Sequence, residues 1–157
     1  MQSWTGLKLL SGAAALALCS GPAALADEPV RGDEAPAHSA KTLLRLKQNS
    51  GITLQWIDWD RRGQAALREQ NGTFYLSGGQ IASDGAGTLW LDGEVVSSGD
   101  DHFIFEGLIR IANTPGNGRI CQDTKRWRFA ITQNRKYYRL REFEWCDGLT
   151  DYIDIYF

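Results

Sequence analysis

The sequence is poor in the residues from which most catalytic and metal sites are built. Its 157 residues hold 2 His, 3 Cys, 4 Pro and 1 Met. His38 lies in a polar N-terminal stretch and is expected to be a solvated side chain. His102 stands beside Asp100 and Asp101 at a turn before a strand, where a solvated imidazole is a better expectation than a general base. There is no G-x-S-x-G elbow, no H-E-x-x-H, no phosphate-binding loop and no dinucleotide fingerprint. Nucleophile-plus-base catalysis is therefore poorly provided for, and no cofactor is expected. The formal charge is −2, which argues against a strongly basic nucleic-acid-binding fold. After the N-terminal segment no apolar run approaches the length needed to cross a bilayer, so no membrane span is expected in the mature chain.

What is present begins with an address. Residues 1–26 have the three-part form of a secretory signal peptide. Lys8 supplies the positive n-region, residues 9–18 form a short apolar run, and Ala24-Leu25-Ala26 gives a small-x-small cleavage site. A retained anchor is disfavoured by the shortness of the run, and lipidation at Cys19 by the Leu18 before it. The mature chain then starts at Asp27, in the periplasm or outside the cell. Residues 27–40 (DEPVRGDEAPAHSA) are polar and show no apolar period, and they read as a disordered leader. Their Arg31-Gly32-Asp33 tripeptide is too short to carry a function by itself.

Compartment decides how the cysteines are read. Cleavage removes Cys19 and leaves Cys121 and Cys146, which in an oxidising compartment have one possible pairing, a disulfide. Two cysteines this far apart with no neighbouring histidine do not match zinc-ligand spacing, so no metal is expected.

From Lys41 onward the dominant period is two. Ile52, Leu54 and Trp56 alternate with polar residues. Phe103, Phe105, Gly107, Ile109 and Ile111 share one face, as do Trp127, Phe129 and Ile131, and Ile153, Ile155 and Phe157 need a core at the C-terminal end. Residues 64–70 (QAALREQ) form the one helix-like patch, though a strand running into the Asn71-Gly72 hairpin turn fits equally. Gly93 reads as a bulge, and residues 136–145 as a strand. The prediction is an all-β domain over residues 41–157, with about 7–9 antiparallel strands joined by short turns. It closes as a small barrel or a two-sheet sandwich. The barrel is preferred because closure removes exposed edges.

Two patterns could carry chemistry. Asp58 and Asp60, two positions beyond Trp56, and Asp92 and Glu94, two positions beyond Trp90, have the spacing that puts paired carboxylates on one strand face. Glycoside hydrolysis needs such a pair; a solvent face explains it as well. The second pattern is a basic run from Arg119 to Arg141, set against acidic stretches on both sides. Cross-strand pairing would neutralise these charges. Alternatively Arg128, Tyr137, Arg139, Arg141 and Trp145 form a binding face, since guanidinium groups grip carboxylates and phosphates bidentately and stack on rings.

Residues 77–94 (SGGQIASDGAGTLWLDGE) resemble the signature of the periplasmic and membrane-bound inhibitors of c-type lysozyme, with its Ser-Gly start and later Trp. Ile81 stands where that signature has an aromatic residue, Asp92 where it has Lys, and both cysteines lie downstream. The resemblance implies a small disulfide-bearing antiparallel barrel of the bacterial envelope that plugs the lysozyme active site. The expected function is a non-enzymatic module of the cell envelope that binds an anionic or carbohydrate ligand or another envelope protein. A glycan hydrolase with paired carboxylates is the alternative.

Overall fold

A computed structural model describes residues 37–114 and 118–157. The signal-peptide reading, the first ten residues of the expected leader and the Arg-Gly-Asp tripeptide lie outside the described residues.

The first described element is a helix, α1 (Ala40–Lys47), where a leader giving way to strands was expected. The segment has no Gly or Pro and only one β-branched residue, and Arg45 and Lys47 fall in its last turn, where cations complement the helix dipole. Its buried residues are Thr42 and Leu46, one turn apart, a stripe too short to show in the sequence. The Thr42 hydroxyl sits 2.6 Å from the Gly99 carbonyl and 2.9 Å from the Tyr138 hydroxyl, which fixes the helix to the barrel. His38 is correspondingly not a solvated tail residue. It pairs by a parallel bridge with Ser98, and its ring packs edge-on against Phe74 at 5.0 Å.

Eight strands follow: β1 (Gly51–Leu54), β2 (Gln64–Gln70), β3 (Thr73–Ile81), β4 (Thr88–Ser98), β5 (His102–Ala112), β6 (Ile120–Ala130), β7 (Tyr137–Leu140) and β8 (Ile153–Tyr156). They form one antiparallel sheet in the order β1-β8-β7-β6-β5-β4-β3-β2. The ends of that sheet approach each other at an Ile52–Gly63 bridge, so the sheet is a nearly closed up-and-down barrel. The QAALREQ patch is strand β2, drawn into the sheet by its hairpin with β3 across Asn71-Gly72. Asn71 and Gly72 both have positive φ, as a tight two-residue hairpin turn demands.

The interior is made by the faces that period two identifies. Phe103, Phe105, Ile109, Ile111, Trp127, Phe129, Tyr138, Leu140, Ile153 and Ile155 are all fully buried. Phe103 stacks on Phe129 at 5.0 Å, and Tyr138 meets Phe103 edge-on at 5.2 Å. Burying each such side chain contributes roughly 1.5–3 kcal/mol. Gly93 is not a bulge, because it pairs directly with Gly107. A Cβ on either glycine would lie 2.9 Å from the Phe105 ring, so the two bare backbones make the space that the ring occupies. The irregularity in β4 falls instead between Val95 and Ser97.

The strand expected over residues 136–145 is cut short at Leu140. The chain then leaves the sheet as a loop that is tied back at two places. Cys146 is joined to Cys121 of β6, with Cα atoms 5.8 Å apart. A cross-link at this separation contributes about 3–4 kcal/mol through the entropy of the unfolded chain. Beside it, buried Arg119 donates to Asp147 at 2.7 and 2.8 Å and to Asp151 at 2.9 Å. The Asp151 hydrogen bond raises the pKa of this guanidinium against the opposing effect of burial, so the cation is fixed in place. Cys121, Cys146 and Asp147 form a group of potential metal ligands, but two of the three are joined to each other in the disulfide. Among the described residues no helix is long and apolar enough to cross a membrane.

Candidate functional site

Of the expected binding residues, the structure brings Tyr137 and Arg139 together and Arg128 and Arg141 together. Tyr137 and Arg139 project outward from β7, and Arg139 is already bound. Its guanidinium forms a bidentate pair with fully buried Asp154, both contacts at 2.7 Å, and lies 4.0 Å from the centre of the Tyr152 ring. Asp154 raises the Arg139 pKa against the cost of burial, so this cation serves the wall of the barrel. Trp145 packs edge-on against Trp127 at 5.1 Å, with its indole N–H buried. Arg128 and Arg141 are exposed and make no salt bridge among the described residues. They are neighbours, since the Arg141 N–H donates to the Arg128 carbonyl at 2.8 Å.

Of the two expected carboxylate pairs, one lies off any strand and the other shares a strand face as expected. Asp58 and Asp60 are not on a strand, because β1 ends at Leu54 and the chain turns. Asp58 is the acceptor of that turn: it takes the backbone N–H groups of Asp60 at 2.8 Å and Arg61 at 3.0 Å. Those hydrogen bonds, Arg61's first, hold its carboxyl below the ordinary carboxylate range. Trp56 donates to the Thr150 carbonyl at 3.0 Å and to Asp151 at 3.1 Å. Asp92 and Glu94 share the outward face of β4 with Trp90.

A concavity lies elsewhere, on the outer wall where β2, β3 and β4 run past the start of β1. It is an open groove of about 820 Å³. Gln64, Ala66 and Arg68 of β2, Ser77, Gly79 and Ile81 of β3, and Trp90 of β4 line it; all have the outward parity of their strands. None of the four carboxylates lines it. The floor is low because its residues are small and the strands lie close. A Cβ at Gly63 would fall 1.9 Å from the Gly79 carbonyl, and one at Gly79 would fall 2.5 Å from the Leu89 carbonyl. The Trp90 ring leans over the same bare backbone, 3.2 Å from where a Gly79 Cβ would be, and is 50% exposed. Ile81, 62% exposed, is the other exposed large apolar side chain of the lining.

Gln80 holds this part of the wall from inside. Its Oε1 accepts the Leu54 N–H at 2.6 Å, and its Nε2 donates to the Asp58 and Arg61 carbonyls at 2.7 and 2.8 Å. One buried amide thus stands in for ladder bonds between β1 and the connection to β2. Asn49 does the same beyond the single bridge, donating to the Ala65 carbonyl at 2.9 Å.

Sequence reasoning passed over this groove. Trp90 stood out in the sequence only by its spacing from Asp92 and Glu94. The available signal was the run of small residues Ser77-Gly78-Gly79 inside an otherwise regular strand, which marks a close approach of backbone.

Residues 34–157 match the model of the PM1083 family. The chain belongs to the PM1083 family. The uncharacterized protein PM1083 of Pasteurella multocida (strain Pm70) is 31% identical over 124 residues, which cover 78% of this chain and 80% of that protein. No solved structure matches the chain. The PM1083 family match takes in α1, every strand and the whole groove lining. The lining combines a half-exposed indole, an amide, a hydroxyl and a guanidinium without a carboxylate. Such a surface can hold a ligand by stacking and hydrogen bonding.

Proposed function

We propose that this protein is a non-enzymatic binding module of the bacterial cell envelope, exported by its first 26 residues, and that it binds through the outer-wall groove. The observation that carries the reading is the exposed Trp90 set over a glycine floor on the outside of a barrel whose inside is filled with aromatic side chains. A large exposed apolar side chain beside a concavity is a common mark of a binding surface. The export signal and the Cys121–Cys146 pair both fit an oxidising compartment.

The test is a thermal-shift screen of the exported protein against envelope sugars, uronic acids, peptidoglycan fragments and c-type lysozyme. A ligand of the native state raises the unfolding midpoint in a saturable way. The expected result is a shift with one class that Trp90→Ala abolishes. A hit that Trp90→Ala leaves unchanged places binding elsewhere, and turnover of any glycan makes the protein an enzyme. The lysozyme arm also tests the resemblance of residues 77–94, which form most of β3, the turn after it and the start of β4.

A further inference from the structure

We infer that the ligand of the groove is an oligosaccharide that carries a carboxylate, with Trp90 stacking on a sugar ring and Arg68 pairing with the acid. The inference rests on the groove being the binding surface and adds the chemical class of what fills it.

Three features of the lining point this way. The first is Trp90, half exposed and lying beside a residue with no side chain, which leaves ring surface for a flat partner. The electron-rich face of an indole attracts the polarised C–H groups on the apolar side of a pyranose for the same reason that it attracts cations. The second is the supply of unspent hydrogen-bonding groups. Gln64 and Ser77 make no side-chain hydrogen bond among the described residues, which leaves an amide and a hydroxyl for sugar hydroxyls. The third is charge. Arg68 is the one charged side chain of the lining, is exposed, and makes no salt bridge among the described residues. Within the lining a single carboxylate would find a guanidinium fork.

Register sets the size of the ligand. Gln64 pairs with Gly79 and Gly79 with Trp90, while Arg68 pairs with Tyr75 four residues along. Arg68 and Trp90 are therefore two strands apart and offset by four residues, roughly 16 Å from backbone to backbone. A monosaccharide cannot engage both, but a short oligosaccharide can. On β4 Asp92 stands opposite Ser77 and Glu94 opposite Tyr75, and on β5 Arg110 stands opposite Trp90, so charges of both signs border this path.

The experiment is isothermal titration of the purified protein with three probes: trigalacturonic acid, an N-acetylglucosamine–N-acetylmuramic acid fragment, and neutral chitotriose. Trp90→Ala and Arg68→Gln are titrated alongside; both positions are exposed, and circular dichroism verifies that the variants fold. One of the two acidic probes is expected to bind saturably, and which one does so distinguishes a uronic-acid polymer from peptidoglycan as the source. Trp90→Ala should weaken that binding at least about tenfold. Arg68→Gln should lower it by about tenfold, to the level of chitotriose, as loss of a charge-assisted hydrogen bond predicts. If chitotriose binds as tightly as the acids, or Arg68→Gln leaves the preference intact, the carboxylate inference falls and the groove reading stands. If none of the three binds, the saccharide inference falls, and the groove is judged by whether Trp90→Ala removes the hit of the thermal-shift screen. Acid binding that survives Trp90→Ala overturns both.

Discussion

The two sides of this barrel are built by different means. On one side β4, β5 and β6 are 11-residue strands paired along nearly their whole length, with Phe103, Phe105, Trp127 and Phe129 filling the inside. On the other side β1 has four residues and meets β2 through the one Ile52–Gly63 bridge, so side chains complete the closure. Gln80 and Asn49 carry bonds that backbone carries on the long wall. The long wall is stabilised by apolar burial, which is non-directional and spread over many residues. The seam depends on a few buried polar groups, each of which costs free energy when its partner is removed. The groove opens beside the seam, where small residues and a short strand leave the outer surface low.

Phe105→Ala probes the long wall and should have the largest effect. It removes a fully buried ring that also fills the space left by Gly93 and Gly107, so the loss should be about 3–5 kcal/mol. A thermal midpoint equal to that of the parent would mean that this face is not the core.

Gln80→Ala probes the seam. It strands the Leu54 N–H and two carbonyls inside the wall, and should cost about 2–3 kcal/mol. Hydrogen exchange separates the two constructions more sharply: β1 amides should lose protection while those of β5 keep theirs. Uniform loss of protection across both strands would show that seam and wall open as one unit.

Asp58→Ala touches only the turn that leads into the seam, and should lower the midpoint least. The Asp58 carboxyl is held below its ordinary 3.8 by the backbone N–H groups of Arg61 and Asp60. A depressed folded value means that its contribution is present above the unfolded pKa and is lost as pH falls through the folded one. The difference between parent and variant should therefore hold at neutral pH and close below pH 3.8. A difference that persists in strong acid would assign the effect to something other than this carboxylate.

Much of the wall was legible in the sequence because period two is a local property. Each alternating run on β5, β6 and β8 identified its buried face without reference to any partner strand. Helix α1 was not legible, since its eight residues hold one buried pair, and what fixes them is contact with Gly99 and Tyr138, far away in the chain. The end of β7 at Leu140 was hidden for a similar reason. Alternation continues through Phe143 and Trp145, but Cys146, Asp147 and Asp151 pull the chain out of the sheet toward Cys121 and Arg119. Arg139 looked free for a ligand because Asp154, its partner, becomes a neighbour only when β7 pairs with β8.

The sequence by itself determined an all-β fold, the faces that fill the barrel and a disulfide, because alternation and cysteine count are written residue by residue. Tertiary structure alone decided which charged groups neutralise one another and where the outer wall is low. Both depend on strand register, which places Gly79 beside Trp90 and Asp154 beside Arg139, and register is a property of paired strands and not of either strand alone.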